Sequence, residues 1–473
     1  MRTPKATRNV DMTSGSVRRK LLLLAWPVML AHLLQTLYNL VDAFWLGKLG
    51  RQALTAPTIT MHVVFIGFAL AMGLGAAGTT LVSQYKGAGR EDRAASVGGQ
   101  LLTLLVGIGM VLGIAGFFLT PHILRLLQTP PDAWSMTYSY MRWIWAGIPL
   151  LFAFTVYQGV STGLGDTMGP MQVTLVSVVL NLVLDPLMIF GAGPVPAMGV
   201  AGAAIATVFS RGVAAVIGVA RLIRGRHGFR IGFSHMKPER STVGKILRIG
   251  LPVGLGQMGT SLGFTVMIGI VNSFGSAVTA AFGVGNRIIH MAMVPAMGLS
   301  QANATAVGQN LGAGNEARAE KSVHSALILI GAILLPVTVS MFFFGGDISR
   351  AFVDDPTVVE LGRTMFRITT PSVFVFGFLL VILGSFQGAG HTMPVMVLNM
   401  TRLWGLRVPG AYLLAFTAGL DAMGIWWAMF ISNTVIAISG WLWFRTGSWK
   451  RKGSRLVRDE REPGPISAST DLD

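Results

Sequence analysis

The sequence has no cysteine and little charge, and both absences narrow the class of protein. Without cysteine, the chain can form neither a disulfide framework nor a thiolate site. Only 12% of its 473 residues are charged, whereas 52% are hydrophobic and the mean hydropathy is +0.61. Such a chain is too apolar to form a soluble globule. The composition predicts an all-α polytopic membrane protein.

Acidic residues are also scarce, with 20 Asp and Glu against 37 Lys and Arg. The basic residues lie mostly in the tails and loops of one side of the predicted helices, which follows the positive-inside rule and is not typical of a nucleic-acid-binding surface. The pattern predicts an inner or plasma membrane protein with both termini in the cytoplasm and no nucleic-acid partner. Four arginines fall within predicted helices, where we interpret them as interhelical ties or snorkelling groups: Arg211, Arg287, Arg402 and Arg407.

An internal repeat organises the chain. Pro27 returns as Pro252, and the segment QYKGAGREDRA at Gln84 returns at the same offset as QNLGAGNEARA at Gln309. The sequence contains twelve long apolar runs, so the repeat predicts twelve transmembrane helices in two six-helix lobes of the same orientation. The glycine-rich segments GLGDTMGP and FQGAGHTMP predict tight hairpins between helices in each lobe.

These observations divide the chain into five segments. They are a cytoplasmic N-terminal tail (1–19), an N-lobe of helices 1 to 6 (20–224), a basic, solvated cytoplasmic linker (225–243), a C-lobe of helices 7 to 12 (244–445) and a disordered cytoplasmic tail (446–473).

Only two of the acidic residues fall well inside predicted spans. Asp42 lies near the end of the first apolar run, and Asp185 lies in NLVLDPLMIFG of the fifth. Carboxylates at such positions are rare and indicate a functional site. The repeat places Met267 and Gly410 at the equivalent positions, so the acids belong to one lobe only. This asymmetry favours a functional role over an architectural one.

Two polar residues are predicted to lie near the two acids and to form one site with them. Asn181 lies one helical turn before Asp185, and Thr207 lies at a similar depth in the sixth span. Together, the four side chains form a set of oxygen ligands that suits a small monovalent cation, or a pair of acids that shares protons. The alternative is that the acids only cap backbone groups or pair with an intramembrane arginine, of which only Arg211 lies in the same lobe.

Pro27 is predicted to be a conformational hinge. It removes a backbone hydrogen bond from the helix that carries Asp42 and can kink that helix. Pro252 opens the equivalent helix, but that helix carries no acid.

The motifs YNLVDAFWLGKLG, VGQNLGAGN, GLGDTMGPM, NLVLDPLMIFG and GVAGAAIAT, in this two-lobe arrangement, resemble the multidrug and toxic compound extrusion (MATE) transporters from about Lys20 to Arg445. The resemblance implies a V-shaped pair of lobes, alternating access, and export of organic cations and drugs against proton or sodium entry. It places Asp42, Asn181 and Asp185 in the family's N-lobe cation site, together with Thr207.

The resemblance also suggests residues that line the substrate cavity, namely Tyr38, Tyr140 and Gln158. We add Asn39 and Gln257 because they are polar residues within predicted spans.

We therefore predict a monomeric antiporter, without a cofactor or enzymatic activity, that exports organic cations or amphiphilic drugs through a bilayer of lipids in exchange for protons. Some sodium-coupled members have further carboxylates in helices 7 and 10. Here the segment 254–261 offers only Gln257, Thr260 and Ser261 as polar side chains, and 372–387 contains no acid. Two alternatives stay open, a sodium-coupled antiporter that uses the same four residues as its Na⁺ site and a flippase for lipid-linked oligosaccharides. A flippase of that kind is expected to have an arginine-rich cavity.

Overall fold

The computed structural model describes residues 10–225, 229–451 and 453, which form helices joined by short turns. The first ten membrane-length helices are α1 (Val17–Gly47), α2 (Arg51–Gly87), α3 (Glu91–Leu126), α4 (Pro131–Gly163), α5 (Met168–Phe190), α6 (Gly199–Arg224), α7 (Arg240–Asn272), α8 (Ser276–Gly312), α9 (Glu316–Arg350) and α10 (Pro356–Gly388). Of these, α9 is kinked at Phe344, whose backbone angles are not helical.

The eleventh helix, α11, covers 393–417 and is irregular. It alternates between α-helical turns at Met393–Met400 and Val408–Tyr412 and wider π-helical turns at Thr401–Arg407 and Leu413–Thr417. The last helix, α12 (Asp421–Arg445), is regular again. The prediction of twelve helices is confirmed, whereas the π-helical turns of α11 were not predicted.

The repeat is visible in the backbone of the turns. Gly165 joins α4 to α5 with a φ of +85°, and its equivalent Gly390 joins α10 to α11 with a φ of +70°. Gly89 and Gly314 have φ values of +72° and +77° in the turns before α3 and α9. Glycine adopts this left-handed conformation without steric cost, which explains why a glycine follows the end of the equivalent helix in each lobe. The predicted helix hairpins are confirmed.

Each lobe has its own apolar core, and α1 divides its packing between the two. In its first half, Leu21, Leu24 and Ala25 belong to the same buried cluster as Leu299 of α8. Its second half packs against α5 of the N-lobe. By the repeat, α7 packs against α2 of the opposite lobe, where a Cβ at Gly73 would lie 2.4 Å from the backbone nitrogen of Gly254.

Two threonines join the lobes at the end of the bundle that carries both termini, which we call the terminal end. The Thr80 hydroxyl donates to the Gln387 carbonyl oxygen at 2.8 Å. The Thr305 hydroxyl donates to the Thr162 carbonyl oxygen at 3.1 Å. The two donors occupy equivalent positions of the repeat, and so do the two acceptors. The repeat therefore relates one contact to the other.

Two glutamines repeat this arrangement one turn further along the same helices. Gln84 Nε2 donates to the Gly388 carbonyl oxygen at 2.9 Å, and Gln309 Nε2 donates to the Gly163 carbonyl oxygen at 3.2 Å. In both lobes, the acceptors are carbonyls at the end of a helix, which have no partner within that helix. We call the two threonine and two glutamine bonds the inter-lobe latch.

The segment before α1 crosses the latch. Val10 N–H donates to the Gly165 carbonyl oxygen of the N-lobe at 3.0 Å, and Met12 N–H donates to Gln309 Oε1 of the C-lobe at 2.9 Å. The Met12 side chain is fully buried, and Arg318 Nε donates to its carbonyl oxygen at 2.9 Å. Residues 10–15 of the predicted tail therefore bridge the lobes, while residues 1–9 lie outside the described part of the chain.

The connection between the lobes is packed against the N-lobe. Phe229 and Ile231 are buried in the N-lobe core, and a short 3₁₀ turn follows at Phe233–Met236. The Thr103 hydroxyl of α3 donates to the Met236 carbonyl oxygen at 3.0 Å. The prediction of a solvated linker is therefore wrong for Phe229 and Ile231, which fill a groove beside α3. Arg230, Phe233 and Lys237 are exposed, as expected of a solvated linker.

The first residues after α12 are ordered. Residues 448–451 form a helical turn, Trp449 is fully buried, and Lys450 Nζ lies 2.6 Å from Glu320 Oε2. The prediction of disorder does not hold for this turn. Residues 454–473 of the predicted disordered tail lie outside the described residues.

Candidate functional site

Asp185 and Asn181 form the buried part of the site on α5. The Asp185 side chain is 0% exposed, and Asn181 Nδ2 donates to its Oδ1 at 2.7 Å. A spacing of four residues places the two side chains on one face of the helix, as the sequence predicts. The second oxygen, Oδ2, is buried and has no hydrogen-bond partner among the described residues.

Asp42 approaches this pair from α1. Its side chain is half-buried, and it lies close enough to Asp185 for the two carboxylates to interact electrostatically. Asp42 Oδ1 also lacks a hydrogen-bond partner in the described part of the chain. Two carboxylates with unpartnered oxygens therefore lie within electrostatic range of each other in the N-lobe, and the charge of one disfavours ionisation of the other.

Thr207 of α6 and two tyrosines complete the site. The Tyr38 hydroxyl donates to Thr207 Oγ1 at 2.8 Å, which ties α1 to α6. Tyr140 of α4 is buried and within electrostatic range of both carboxylates. The structure thus gathers all four residues of the predicted coupling site, and it adds the hydroxyls of Tyr38 and Tyr140 to them.

Arg211 lies beside the site but is not paired with its acids. Its Nη2 donates to Gln35 Oε1 at 2.6 Å, and its guanidinium lies 4.9 Å from the centre of the Tyr38 ring. Among the described residues, neither Asp42 nor Asp185 forms an ion pair. The alternative in which the acids are neutralised by Arg211 is therefore wrong. Gln35 is one of the polar residues within the first predicted span, and it lies one helical turn before Tyr38.

The remaining predicted lining residues are more dispersed. Asn39 is exposed on α1 and accepts a hydrogen bond from Gln35 Nε2 at 3.0 Å. Gln158 on α4 and Gln257 on α7 are half-buried, and neither forms a side-chain hydrogen bond with another described residue. The structure does not join these three residues to the carboxylates, so their role stays a prediction.

The two carboxylates lie in the half of the N-lobe that is farther from the terminal end. They are held on different helices next to neutral donors, so a proton or a small cation would change the balance of forces between α1 and α5. Two parallel six-helix lobes that meet at one end are an architecture of secondary transporters.

The comparisons with known proteins identify the family. The family model MatE matches residues 27–187 and again 252–413, so it matches once in each lobe and in the register of the repeat. The chain belongs to the MatE family of multidrug transporters and is a multi-pass membrane protein. The family resemblance in the sequence is confirmed.

The relatives cover nearly the whole chain. The probable multidrug resistance protein YpnP of Bacillus subtilis is 32% identical over 93% of this chain and 97% of its own length. The FAD transporter of Shewanella oneidensis is 28% identical over 90% and 94%. A solved outward-facing multidrug resistance MATE transporter is 27% identical, with a TM-score of 0.86 and coverage of 94% and 100%.

Proposed function

We propose that the protein is an antiporter that exports organic cations and amphiphilic drugs in exchange for protons. The single observation that carries the proposal is the pair of N-lobe carboxylates, Asp42 and Asp185, without a cationic partner among the described residues. Asn181 turns its amide nitrogen toward Asp185, and Thr207 accepts from Tyr38. These contacts favour a proton-sharing pair over four oxygens that converge on Na⁺.

The distribution of basic residues indicates how the protein is oriented in the membrane. The terminal end carries a dense set of basic side chains, among them Arg18, Lys86, Arg248 and Lys321, which supports a cytoplasmic location for both termini. The latch then closes the cytoplasmic side, as expected of the outward-facing state. In this state, protons from outside reach Asp42 and Asp185.

Coupling is expected to pass through α1. Its second half carries Asp42, whereas its first half packs on α8 of the C-lobe. Neutralisation of Asp42 therefore changes the forces on a helix that also forms part of the inter-lobe contact. Drug release to the outside would accompany this change, and return of the unloaded lobes would release the protons inside.

The driving force is sufficient for efflux. One charge that crosses about 100 mV supplies about 2.3 kcal/mol, and one pH unit supplies about 1.4 kcal/mol. A fully coupled exchange of one proton for one monovalent cation moves no net charge, so it draws on the pH gradient alone and maintains a concentration ratio of about tenfold per pH unit. A drug without net charge would also draw on the membrane potential and could reach about 500-fold. Relatives of similar identity are named for different cargoes, multidrug resistance in one case and FAD in another. The organic-cation class is therefore part of the proposal.

The test is efflux of a fluorescent organic cation from proteoliposomes. A proton gradient without sodium and a sodium gradient at matched pH are imposed separately on wild type and on Asp42→Asn. We expect efflux to follow the proton gradient and to vanish in the variant. Asp347→Asn, which removes an exposed carboxylate from α9, is the control and should behave as wild type.

Two other results of the efflux assay would contradict proton coupling. A response to sodium alone would make Asp42, Asn181, Asp185 and Thr207 a sodium site. If neither gradient drives efflux, the drug-antiport proposal is wrong, and flipping of a lipid-linked oligosaccharide should be measured next.

Pro27→Ala should reduce transport by about tenfold or more if α1 must bend during the cycle. Alanine restores the missing backbone hydrogen bond and favours a straight helix, since proline inside a helix costs about 3 kcal/mol. Pro252→Ala is the matched control in α7, whose position equivalent to Asp42 is Met267. Similar transport by the two variants would remove Pro27 from the mechanism. Initial efflux rates in proteoliposomes measure the difference.

A further inference from the structure

The C-lobe contains two buried arginines that have no acidic partner. Arg402 and Arg407 lie on the irregular helix α11, and each is only 8% exposed. In the part of the chain that the structure describes, neither forms a salt bridge. A buried charge is normally paired, because its removal from water is unfavourable.

The contacts of both guanidiniums are neutral. Arg407 Nε donates to Ser432 Oγ at 3.0 Å, and Arg407 Nη2 donates to Asn433 Oδ1. Arg402 Nη1 lies 3.5 Å from the same Asn433 oxygen, and its guanidinium lies 4.5 Å from the centre of the Phe376 ring. The buried Nε of Arg402 has no hydrogen-bond partner among the described residues. Two positive charges thus share one amide oxygen and keep unused donors.

The pair lies on the helix of the C-lobe that corresponds to the Asp185 helix of the N-lobe. Ser432, which receives the Arg407 hydrogen bond, is the repeat equivalent of Thr207. Helices α11 and α12 correspond in the same way to α5 and α6, which hold Asp185 and Thr207. The two lobes therefore carry opposite charges on corresponding helices, although the arginines themselves are equivalent to Ser177 and Leu182 of α5.

The backbone at this place is also unusual. Arg402 and Arg407 both lie in the π-helical turn Thr401–Arg407, whereas the equivalent helix α5 is regular. Wider turns of this kind occur frequently at functional sites, where they redirect side chains. This observation is independent of the charge pattern and points to the same residues.

We propose that Arg402 and Arg407 bind an oxyanion, a carboxylate or phosphate group carried by a transported amphiphile. Planar guanidinium groups recognise such anions with paired hydrogen bonds, and an anion would satisfy the donors that Asn433 leaves unused. The proposal rests on the proposed antiport function and extends its substrate class from cations to zwitterions. The competing explanation is that the two arginines only tie α11 to α12 through Ser432 and Asn433.

A matched pair of dyes separates these explanations. One is a rhodamine with a free benzoate, and the other is its ethyl ester, which keeps the positive charge and the ring system but loses the anion. Equilibrium binding of both dyes is measured with purified full-length protein and no ion gradient. We expect Arg407→Gln to weaken binding of the acid at least tenfold and binding of the ester less than twofold. Inorganic pyrophosphate should displace the acid only.

Controls guard against loss of folding. Arg287→Gln removes an exposed arginine from α8 of the same lobe and should leave both dyes unaffected. Arg407→Lys keeps the charge but not the paired donors, so it should retain part of the acid binding. The wild type itself should gain thermal stability from the acid and less from the ester, a readout that needs no variant.

The outcomes differ for the two proposals. Equal losses for both dyes in Arg407→Gln, or no preference of wild type for the acid, would overturn the oxyanion site. In bilayers, displacement of the acid by phosphatidylglycerol would assign the site to a lipid phosphate and overturn a transported substrate as its source. Because binding is measured without a gradient, a failure of proton coupling would leave these results unchanged and would appear only in the efflux assay.

Discussion

Asp185→Asn should abolish gradient-driven transport and at the same time make the protein more stable. Asparagine keeps an oxygen for the hydrogen bond from Asn181 Nδ2, but it cannot exchange a proton. It also removes the negative charge that Asp185 carries when ionised, which is buried and has no cationic partner among the described residues. Removal of that buried, unpaired charge is expected to add about 1 to 3 kcal/mol to the free energy of unfolding.

Two measurements test this prediction on the same purified variant. Efflux of an organic cation under a proton gradient should fall to the level of empty liposomes, and the melting temperature followed by tryptophan fluorescence should rise. Asp347→Asn on α9 should change neither quantity, and Asp185→Glu should recover part of the transport. A variant that loses both transport and stability would make Asp185 a structural residue and would contradict its place in the coupling site.

The residues of the candidate N-lobe site could be predicted from the sequence, because each is recognisable from its neighbours along the chain. Asp42 and Asp185 are visible as acids within apolar runs, and a spacing of four residues is sufficient to place Asn181 beside Asp185. The internal repeat predicted the two lobes. Its glycine-rich segments predicted the turns at which glycines with positive φ lie at equivalent positions. The depth of Thr207 in the sixth span placed it near the acids, and the family resemblance assigned it to the same cation site.

The contacts between the lobes could not be predicted from the sequence, because they depend on which helix ends meet in the folded protein. Gln84 and Gln309 open the two most similar segments of the repeat, yet sequence similarity alone does not identify carbonyl groups as their partners. The path of residues 10–15 across the latch was missed for the same reason. Arg402 and Arg407 were interpreted as helix ties, since nothing in the sequence distinguishes a shared neutral acceptor from a salt bridge.

Gly87→Ala and Gly312→Ala should each prevent the terminal end from closing. A Cβ at Gly87 would lie 1.9 Å from the Gln309 carbonyl oxygen, and a Cβ at Gly312 would lie 2.0 Å from the Gln84 carbonyl oxygen. Both distances are far below van der Waals contact, and backbone atoms cannot move aside as a side chain can. The lobes must therefore separate, which breaks latch bonds that contribute about 0.5 to 1.5 kcal/mol each. Loss of all four would shift the equilibrium by about 30-fold or more.

The absence of cysteine makes the measurement direct. Cysteines introduced at the exposed, repeat-equivalent residues Glu91 and Glu316 would carry the only spin labels, and the distance between them reports the separation of the lobes at the terminal end. We expect both alanine variants to lengthen this distance and to lose at least tenfold in transport. Gly283→Ala, where a Cβ meets open space on α8, should change neither. Because Gly87 and Gly312 are related by the repeat, an effect at only one of them would contradict a symmetric latch, and an unchanged distance in both would exclude these contacts as a constraint on closure.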